Sequence, residues 1–298
     1  MHMFRFAGDR LLAPATAWVA SLNLLLVAAA STSGCRDQAK FSAEAAQEDT
    51  AALVQLADKD VAEIERGMPE GAKRLASLWA KGKNPHDDLG AARSALTRAR
   101  REVPALNLAK STFFAVADDQ GIAIRNNLEQ DAMAEKNLFV IFPELAKVKD
   151  GSVSARGAFP ETAAENPPDR DWVFAVPIQS DDQKFLGAYL TGWTYRRFAY
   201  HLQETLHHDL SERLRKNKET GKLPIFYVAV FDKSGVYGAP HTPDVNEKAL
   251  AAADLVGKTA GGPHRDTLTI TGRDFGYAAA RAPKLGPEVG IVVLRSEI

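Results

Sequence analysis

Apolar residues follow three different spacings along the chain, and each spacing predicts a different kind of structure. A continuous apolar run extends from Leu11 to Ala30. From Phe41 to Arg101 the apolar residues recur at helical spacing, which predicts two or three helices ending before Pro104. After Pro104, short β-branched and aromatic runs lie between turn residues, which predicts strands. The sequence therefore predicts an apolar N-terminal segment, a helical region and a larger part rich in strands.

The N-terminal segment has the composition of an export signal. Arg5 and Arg10 precede the apolar run, and small residues follow it. A charged start, an apolar middle and a small-residue end are typical of a secretory signal peptide. The run is also long enough to span a bilayer as an uncleaved anchor. In either case the arginines hold their end in the cytoplasm, so we expect the rest of the chain in the cell envelope, facing the periplasm or the exterior.

Cys35 is the only cysteine of the chain and directly follows Ser31-Thr32-Ser33-Gly34. A lone cysteine cannot form an internal disulfide, so its presence in an exported protein needs another reason. The segment resembles the lipobox of bacterial lipoproteins, with Thr32 where that family usually has Leu. The resemblance implies that Cys35 is diacylated and becomes the first residue of the mature chain. A signal anchor with an incidental thiol is the alternative.

The helical region carries two apolar stripes. They are Leu53, Ala57, Val61 and Ile64, and then Leu89, Ala92, Leu96 and Ala99. Gly67-Met68-Pro69 and the segment from Gly82 to Pro85 interrupt the pattern, so we expect breaks there. We interpret residues 41–103 as a stalk that lifts the following part of the chain from the membrane. Helices that simply pack on the domain after them are the alternative.

An internal repeat lies in the part rich in strands. Residues 115–121 match residues 229–235 at an offset of 114, with Ala, Val, Asp and Gly coinciding. Each copy predicts a strand, a tight turn and a second strand. In the first copy, a helical segment Gln130–Val148 follows, and then strands Ser152–Phe159, Asp171–Gln179 and Phe185–Trp193. In the second copy, a helix runs from Asp244, its N-cap, to Val256, and Gly257 ends it. Strands Thr267–Thr271, Phe275–Ala282 and Val289–Leu294 follow this helix. Both copies therefore run β-β-α-β-β-β.

This order resembles the PAS-like fold of Cache domains, and the pair resembles the double-Cache extracytoplasmic sensors of bacteria. The implied fold class is α+β, an N-terminal helical stalk followed by two PAS/Cache-like units, each an antiparallel sheet with covering helices. The expected divisions are a signal peptide 1–35, the stalk 41–103, a first unit 104–195, a linking helix 196–222 and a second unit 223–298. Because the last predicted strand lies near Ile298, no cytoplasmic output domain is expected in this chain.

The resemblance implies a ligand site between a sheet and the segment that covers it, which in the first unit is residues 126–158. The candidate ligand-binding residues are Arg125, Asp131, Arg156, Trp172 and Trp193. An arginine can bind a carboxylate and an aromatic ring can close a wall, so we expect a small, anionic ligand. Surface charges and core aromatics are the alternative. The second unit is expected to have little cavity because its covering helix, Ala249–Ala253, is alanine-rich.

The amino-acid-binding branch of the double-Cache sensors carries an Arg-x-Trp-Tyr signature and a later Asp that meets the ligand amine. Arg170-Asp171-Trp172 matches the start of this signature, but Val173 replaces the tyrosine. The stretch where the acid is expected reads Thr191-Gly192-Trp193. Amino-acid binding is therefore not predicted.

Composition excludes other classes of function. The chain has 45% hydrophobic residues, 25% charged residues and a net charge of −1, and it lacks a basic stripe that would suit nucleic acid. It has no common hydrolase, metalloprotease or phosphate-binding motif, so neither an enzyme nor a cofactor is expected. His201, Glu204 and His208 share one helical face, where a solvated surface is favoured over a zinc site.

Three functions follow from these observations. The first is a membrane-tethered extracytoplasmic sensor or small-ligand-binding module that passes its state to a signalling or envelope protein. The second is a structural or protein-interaction lipoprotein of the cell envelope. A metal-dependent hydrolase built on the helix with His201 is the third.

Overall fold

The computed structural model describes residues 17–159, 169–217 and 222–297, with side chains from Asp37 onward. Within these ranges the chain forms two five-stranded antiparallel sheets of the same strand order, β2-β1-β5-β4-β3 and β7-β6-β10-β9-β8. The strands of the first sheet are β1 Phe113–Asp118, β2 Ala123–Asn126, β3 Val153–Gly157, β4 Asp171–Gln179 and β5 Phe185–Thr194. Those of the second are β6 Ile225–Asp232, β7 Gly235–Gly238, β8 His264–Ile270, β9 Arg273–Arg281 and β10 Gly290–Ser296. The expected α+β fold class is confirmed.

Helices precede, join and cover the sheets. They are α1 Ala17–Leu75, α2 Leu89–Glu102, α3 Pro104–Leu108, α4 Leu138–Ile141, α5 Tyr195–Asn217, α6 Asp244–Ala251 and α7 Leu255–Lys258. Three 3₁₀ segments, Ala76–Gly82, Pro85–Asp87 and Pro143–Asp150, lie between them. The helix α5 starts at Tyr195, one residue before the predicted linking helix 196–222, and connects the two sheets.

The predicted break at Gly67-Met68-Pro69 is wrong, because α1 continues through it to Leu75. Tertiary packing outweighs the hydrogen bond lost at Pro69. Met68 is fully buried, and Gly67 lies so close to α3 that an added Cβ would be 2.7 Å from the Leu106 side chain. The second predicted break is confirmed, since the helical segment ends at Gly82 with φ of +74°.

The helix α1 packs on both sheets rather than standing apart from them. Around its middle it meets the second sheet, where Thr50 Oγ1 donates to the Ala278 carbonyl at 3.1 Å and Arg295 pairs with Asp49 at 2.7 Å. Near its end it meets the first sheet, where an added Cβ at Gly71 would lie 2.6 Å from the Tyr189 ring. The first sheet is therefore the one farther from the N-terminal segment.

The apolar residues form three layers of core. One face of each sheet contributes to a single cluster shared with α1, α2 and α5, while the opposite faces have separate clusters under their own covers. The strands explain this division because successive side chains point to opposite faces. In β4, Trp172 and Phe174 belong to the shared cluster, and Val173 and Ala175 face the first cover.

The two covers depart from the predicted helices. In the first, residues 130–137 form turns, because Asp131 Oδ1 accepts from the backbone N–H groups of Met133 and Ala134, at 2.9 and 3.1 Å. In the second, Asp244 lies inside α6 and not at its cap. Gly257 does not stop a helix but lies within α7, which Asp254 caps from a left-handed conformation with φ of 49°.

Replacing Gly276 with alanine should destabilise the protein by ~1–3 kcal/mol, because α1 crosses β9 at this glycine. A Cβ built there would lie 2.0 Å from the Ala43 backbone nitrogen, so the helix would have to move. Gly261→Ala is the matched control, since nothing lies within 4 Å of its Cβ position. Chemical unfolding of the two variants checks this expectation, and equal stabilities would contradict the close approach of α1.

Candidate functional site

A cavity of about 210 Å³ lies between the first sheet and its cover. It opens where β1 and β4 begin and β5 ends. Its lining residues are Thr112, Phe113, Asn126, Leu128, Gln130, Ala132, Met133, Phe159, Asp171 and Thr194. The walls are mainly apolar, and a few polar groups converge on them, which is the usual composition of a small-molecule site. The volume is below the ~300–1,000 Å³ typical of pockets for drug-sized ligands, so it suits a smaller molecule.

Strand alternation places Asp171 in this cavity. It is the first residue of β4 and shares the face of Val173 and Ala175, which pack under the cover. Its register partner is Thr194, the last residue of β5, which also lines the cavity. Asp171 is the only ionisable residue among the described residues that line the cavity. The sequence did contain a signal that could have identified Asp171. It is a single acid at the start of an otherwise apolar strand, on the same face as buried residues.

The carboxyl of Asp171 is buried and incompletely paired. Its side chain is 3% exposed, and within the described residues Oδ2 has no hydrogen-bond partner. Burial, reinforced by the negative charge of Asp169, raises its pKa to about 7. The backbone N–H of Phe159 and the charge of Arg170 oppose this rise in part. The cavity therefore holds a carboxyl whose charge is expensive to maintain without a partner.

Residues at and beside the cavity also form hydrogen bonds with the first turn of α5. Thr194 Oγ1 accepts from the N–H of Arg197 at 3.2 Å, and Asp169 Oδ1 accepts from the N–H of Arg196 at 3.3 Å. These bonds satisfy backbone donors of the first helical turn. Burial raises the pKa of Asp169, and the Thr194 hydroxyl and two backbone N–H groups oppose the rise. The residues around the cavity thus also hold the start of α5.

Two ion pairs join this region to the second sheet. Arg196 donates to both carboxylate oxygens of Glu247, at 2.6 and 3.0 Å, and Glu247 also accepts from the N–H of Gly238 at 3.0 Å. Arg170 pairs with Asp232 at 3.1 Å. Asp232 and Glu247 are both buried, so these contacts are shielded from solvent. They tie the residue before β4 and the first turn of α5 to the hairpin β6–β7 and to α6.

The predicted residues Arg125 and Asp131 contact each other. Their ion pair measures 3.1 Å, and Arg125 also donates to the carbonyls of Leu128 and Glu129, at 2.9 and 3.2 Å. Asp131 in turn accepts from the N–H of Asn126 at 2.7 Å. These contacts order the loop after β2, which forms one side of the cavity. Neither side chain lines the cavity, and a ligand contact by either stays a prediction.

The predicted residues Arg156, Trp172 and Trp193 lie away from the cavity. The two tryptophans are paired neighbours on the opposite face of the sheet, with ring centroids 4.5 Å apart, and they are almost fully buried in the shared cluster. Trp193 also stacks on Phe198 of α5 at 4.3 Å. Arg156 donates to the Leu285 carbonyl of the second unit at 3.1 Å. The structure thus gives all three residues packing or bridging contacts.

The helix weighed as a zinc site, for which a solvated surface was favoured, makes a contact with α1 through His201. His201 Nε2 lies 2.9 Å from Asp60 Oδ2 of α1, which joins α5 to α1. No group of three or more His, Cys, Asp or Glu side chains suited to a metal ion occurs in the described ranges.

The membrane segment and Cys35 are only partly covered by the structure. Leu11 to Thr16 and the Cys35 side chain lie outside the described residues. Among the helices that the structure describes, none has the combined length and apolar character of a membrane span.

The second unit has more room than its alanine-rich helix suggested. A cleft of about 340 Å³ lies beside the β6–β7 turn and is bordered by Leu250 and Asp254. It forms because α6 ends at Ala251 and the chain turns before α7. Its buried carboxylate, Asp232, is already paired with Arg170 and accepts from the N–H of Ser234 at 2.6 Å. The first-unit cavity is therefore the one with an incompletely paired carboxyl.

Asp171→Asn should remove a pH dependence of stability. The folded-state pKa of about 7 lies above the unfolded value of about 4. The folded protein therefore binds a proton that the unfolded chain has lost, and stability falls as pH rises between these values. Relative to the parent, the variant should gain on the order of a few kcal/mol from pH 4 to 7. Denaturant unfolding across this range measures the gain.

The exposed Asp119→Asn is the control and should follow the parent at every pH. Curves for Asp171→Asn and the parent that stay parallel from pH 4 to 7 would contradict the raised pKa.

Comparison with known proteins gives a likeness of fold. No family model and no curated protein matches the chain. A domain of a sensory box/GGDEF family protein from Vibrio parahaemolyticus matches with a TM-score of 0.50 and 11% identity, covering 87% of this chain and 97% of that one. An extracellular ligand binding receptor from Desulfohalobium retbaense matches with a TM-score of 0.49 and 10% identity, covering 83% of this chain but only 39% of the receptor.

The sensory domain of the Campylobacter jejuni chemoreceptor Tlp3 matches with a TM-score of 0.45 and 13% identity, covering 88% of this chain and 97% of that one. At such identities the likeness concerns the fold alone. The long helix and two PAS/Cache-like sheets of this chain are therefore similar in fold to a domain from a bacterial sensory protein.

Proposed function

We propose that this protein is a membrane-tethered extracytoplasmic sensor module that binds a small ligand in its first unit. The proposed divisions are those expected from the sequence: a first unit 104–195, a linking helix 196–222 and a second unit 223–298. The observation that carries the proposal is the cavity under the first cover, with apolar walls and the buried carboxyl of Asp171. The fold it shares with a domain of a sensory protein agrees with this role.

The contacts around the cavity support a sensor rather than a passive binder. Thr194 lines the cavity and also caps α5, which packs on the second sheet. Asp169 and Arg170 precede Asp171 directly, and Arg170 reaches Asp232 in the second unit. A ligand that changes the position or charge of Asp171 would therefore act on groups that hold the two units together. Such a differential contact is what a ligand needs to shift a conformational equilibrium.

Tethering to the membrane is proposed from the N-terminal sequence. The apolar run after Arg10 supplies the export signal, and Cys35 is the proposed site of lipidation. The part of α1 around Asp49 packs beside the second sheet and is nearer to Cys35 than the part that meets the first sheet, so a tether at Cys35 would leave the first unit facing away from the membrane. This placement gives the proposed ligand site access to solutes in the envelope.

Ala132→Trp should abolish ligand binding by closing the cavity. Ala132 is exposed at the rim, so a bulky ring fits there without disturbing the core. A thermal-shift screen of the full chain in detergent with small amines, acids, amino acids and sugars is expected to give at least one compound that raises the melting temperature. The variant should lose that shift.

Ala146→Trp is the matched control, since Ala146 is exposed on the same cover but does not line the cavity. It should keep the full shift. A shift that survives in Ala132→Trp would place the ligand site elsewhere, and a screen with no active compound would contradict a small-ligand sensor.

Cys35→Ser should release the protein from the membrane or leave it unprocessed. Several acyl chains hold a protein firmly, whereas their loss removes the anchor. Membrane fractionation and labelling with a radioactive fatty acid in a bacterial host measure both effects. Equal fractionation and migration of variant and parent would show that Cys35 is not the anchor.

A further inference from the structure

The charges around the first-unit cavity restrict the ligand that it can accept. Asp171 is the only ionisable residue among the described residues that line it, and they include no lysine, arginine or histidine. Arg125 is engaged by Asp131 and two carbonyls, and Arg156 reaches across to Leu285. An anionic ligand would therefore be desolvated beside a carboxyl of like charge, with no cationic partner among the described residues of the cavity wall.

The unpaired oxygen Oδ2 of Asp171 favours a ligand that carries a hydrogen-bond donor. Its side chain is 3% exposed, and this oxygen has no hydrogen-bond partner in the described parts of the chain. A buried carboxylate oxygen can accept further hydrogen bonds, and leaving it unpaired costs free energy. The protein donor to Asp171 is the backbone N–H of Phe159, and Asp169 adds negative charge nearby. A ligand that brings a positively charged donor would satisfy this oxygen.

The apolar walls and the volume of the cavity restrict the character and the size of the rest of the ligand. Phe113, Met133 and Phe159 line the cavity from the strand and the cover, and all three are largely buried. Aromatic faces and a thioether also attract cations and alkyl groups. The volume of about 210 Å³ limits the ligand to a small molecule.

We propose that the cavity binds a small primary amine with a short apolar body, whose ammonium group donates to Asp171 Oδ2, and that it discriminates against ligands with a carboxylate. This inference rests on the proposed function and replaces the anionic ligand expected from the two arginines. Free amino acids are disfavoured, because no cationic side chain among the described lining residues would meet their carboxylate.

Matched probes test this inference. Propylamine, 3-methylbutylamine, cyclohexylamine and 2-phenylethylamine are titrated at pH 7.5 into the full chain in detergent, each beside the alcohol and the carboxylate of the same shape. We expect at least one amine to bind, with a dissociation constant about tenfold or more below those of its two analogues, because a charge-assisted hydrogen bond supplies the difference. Calorimetry gives the constants.

Asp171→Asn should weaken the binding of that amine about tenfold or more, while Asp119→Asn leaves it unchanged. The ligand-free variant should unfold at no lower temperature than the parent, because it loses a costly buried carboxyl. If the variant nevertheless fails to fold, the selectivity of the parent among amine, alcohol and carboxylate still decides the inference.

Three results would overturn the inference: no amine of the series binds, a carboxylate or alcohol binds as tightly as its amine, or folded Asp171→Asn keeps the parent's affinity. Binding of a carboxylate or alcohol that Ala132→Trp abolishes would refute the amine while leaving the cavity as the ligand site. The amine inference and the proposed function can therefore fail separately.

Discussion

Both sheets bury one face under the same helix, and the rest of the architecture depends on this shared packing. The stripe of α1 that includes Leu53, Val61 and Ile64 is buried from the second sheet towards the first in one continuous cluster. Close approach at Gly71 and Gly276 sets the distance between the helix and the two sheets. The opposite faces remain free to carry separate covers, and the cavity that holds Asp171 lies beneath the first of these covers.

In the first sheet, strand alternation places the large packing residues on one face and the cavity on the other. Its inner face is filled by Trp172 and Trp193, whose stacked rings meet α5 through Phe198. Its outer face carries small residues such as Ala115 and Ala175, which leave volume beneath the cover. Large aromatic side chains thus fix the unit in place on one face, while small side chains make room on the other.

The sequence predicted the order of the elements better than the contents of the site. Strand β4 has the predicted bounds, and α5 starts one residue before the predicted position, because their apolar patterns are long and regular. The break at Pro69 was wrong because burial against α3 is invisible to local propensity. Trp172 and Arg156 were chosen by residue type, whereas the side of the sheet decides which groups meet a ligand. Counting alternate positions from Val173 would have pointed to Asp171.

The division of α1 between two sheets also determines how this protein can be dissected or recombined. A fragment beginning at Pro104 would retain every strand of both sheets but lose the helix that covers their shared faces, exposing side chains such as Trp172 and Val293. Neither sheet is therefore a module that can be moved into another protein by exchanging its strands alone. A functional graft of the first unit would have to bring its half of α1 as well, although that half is separated from β1 by the intervening helices in the chain.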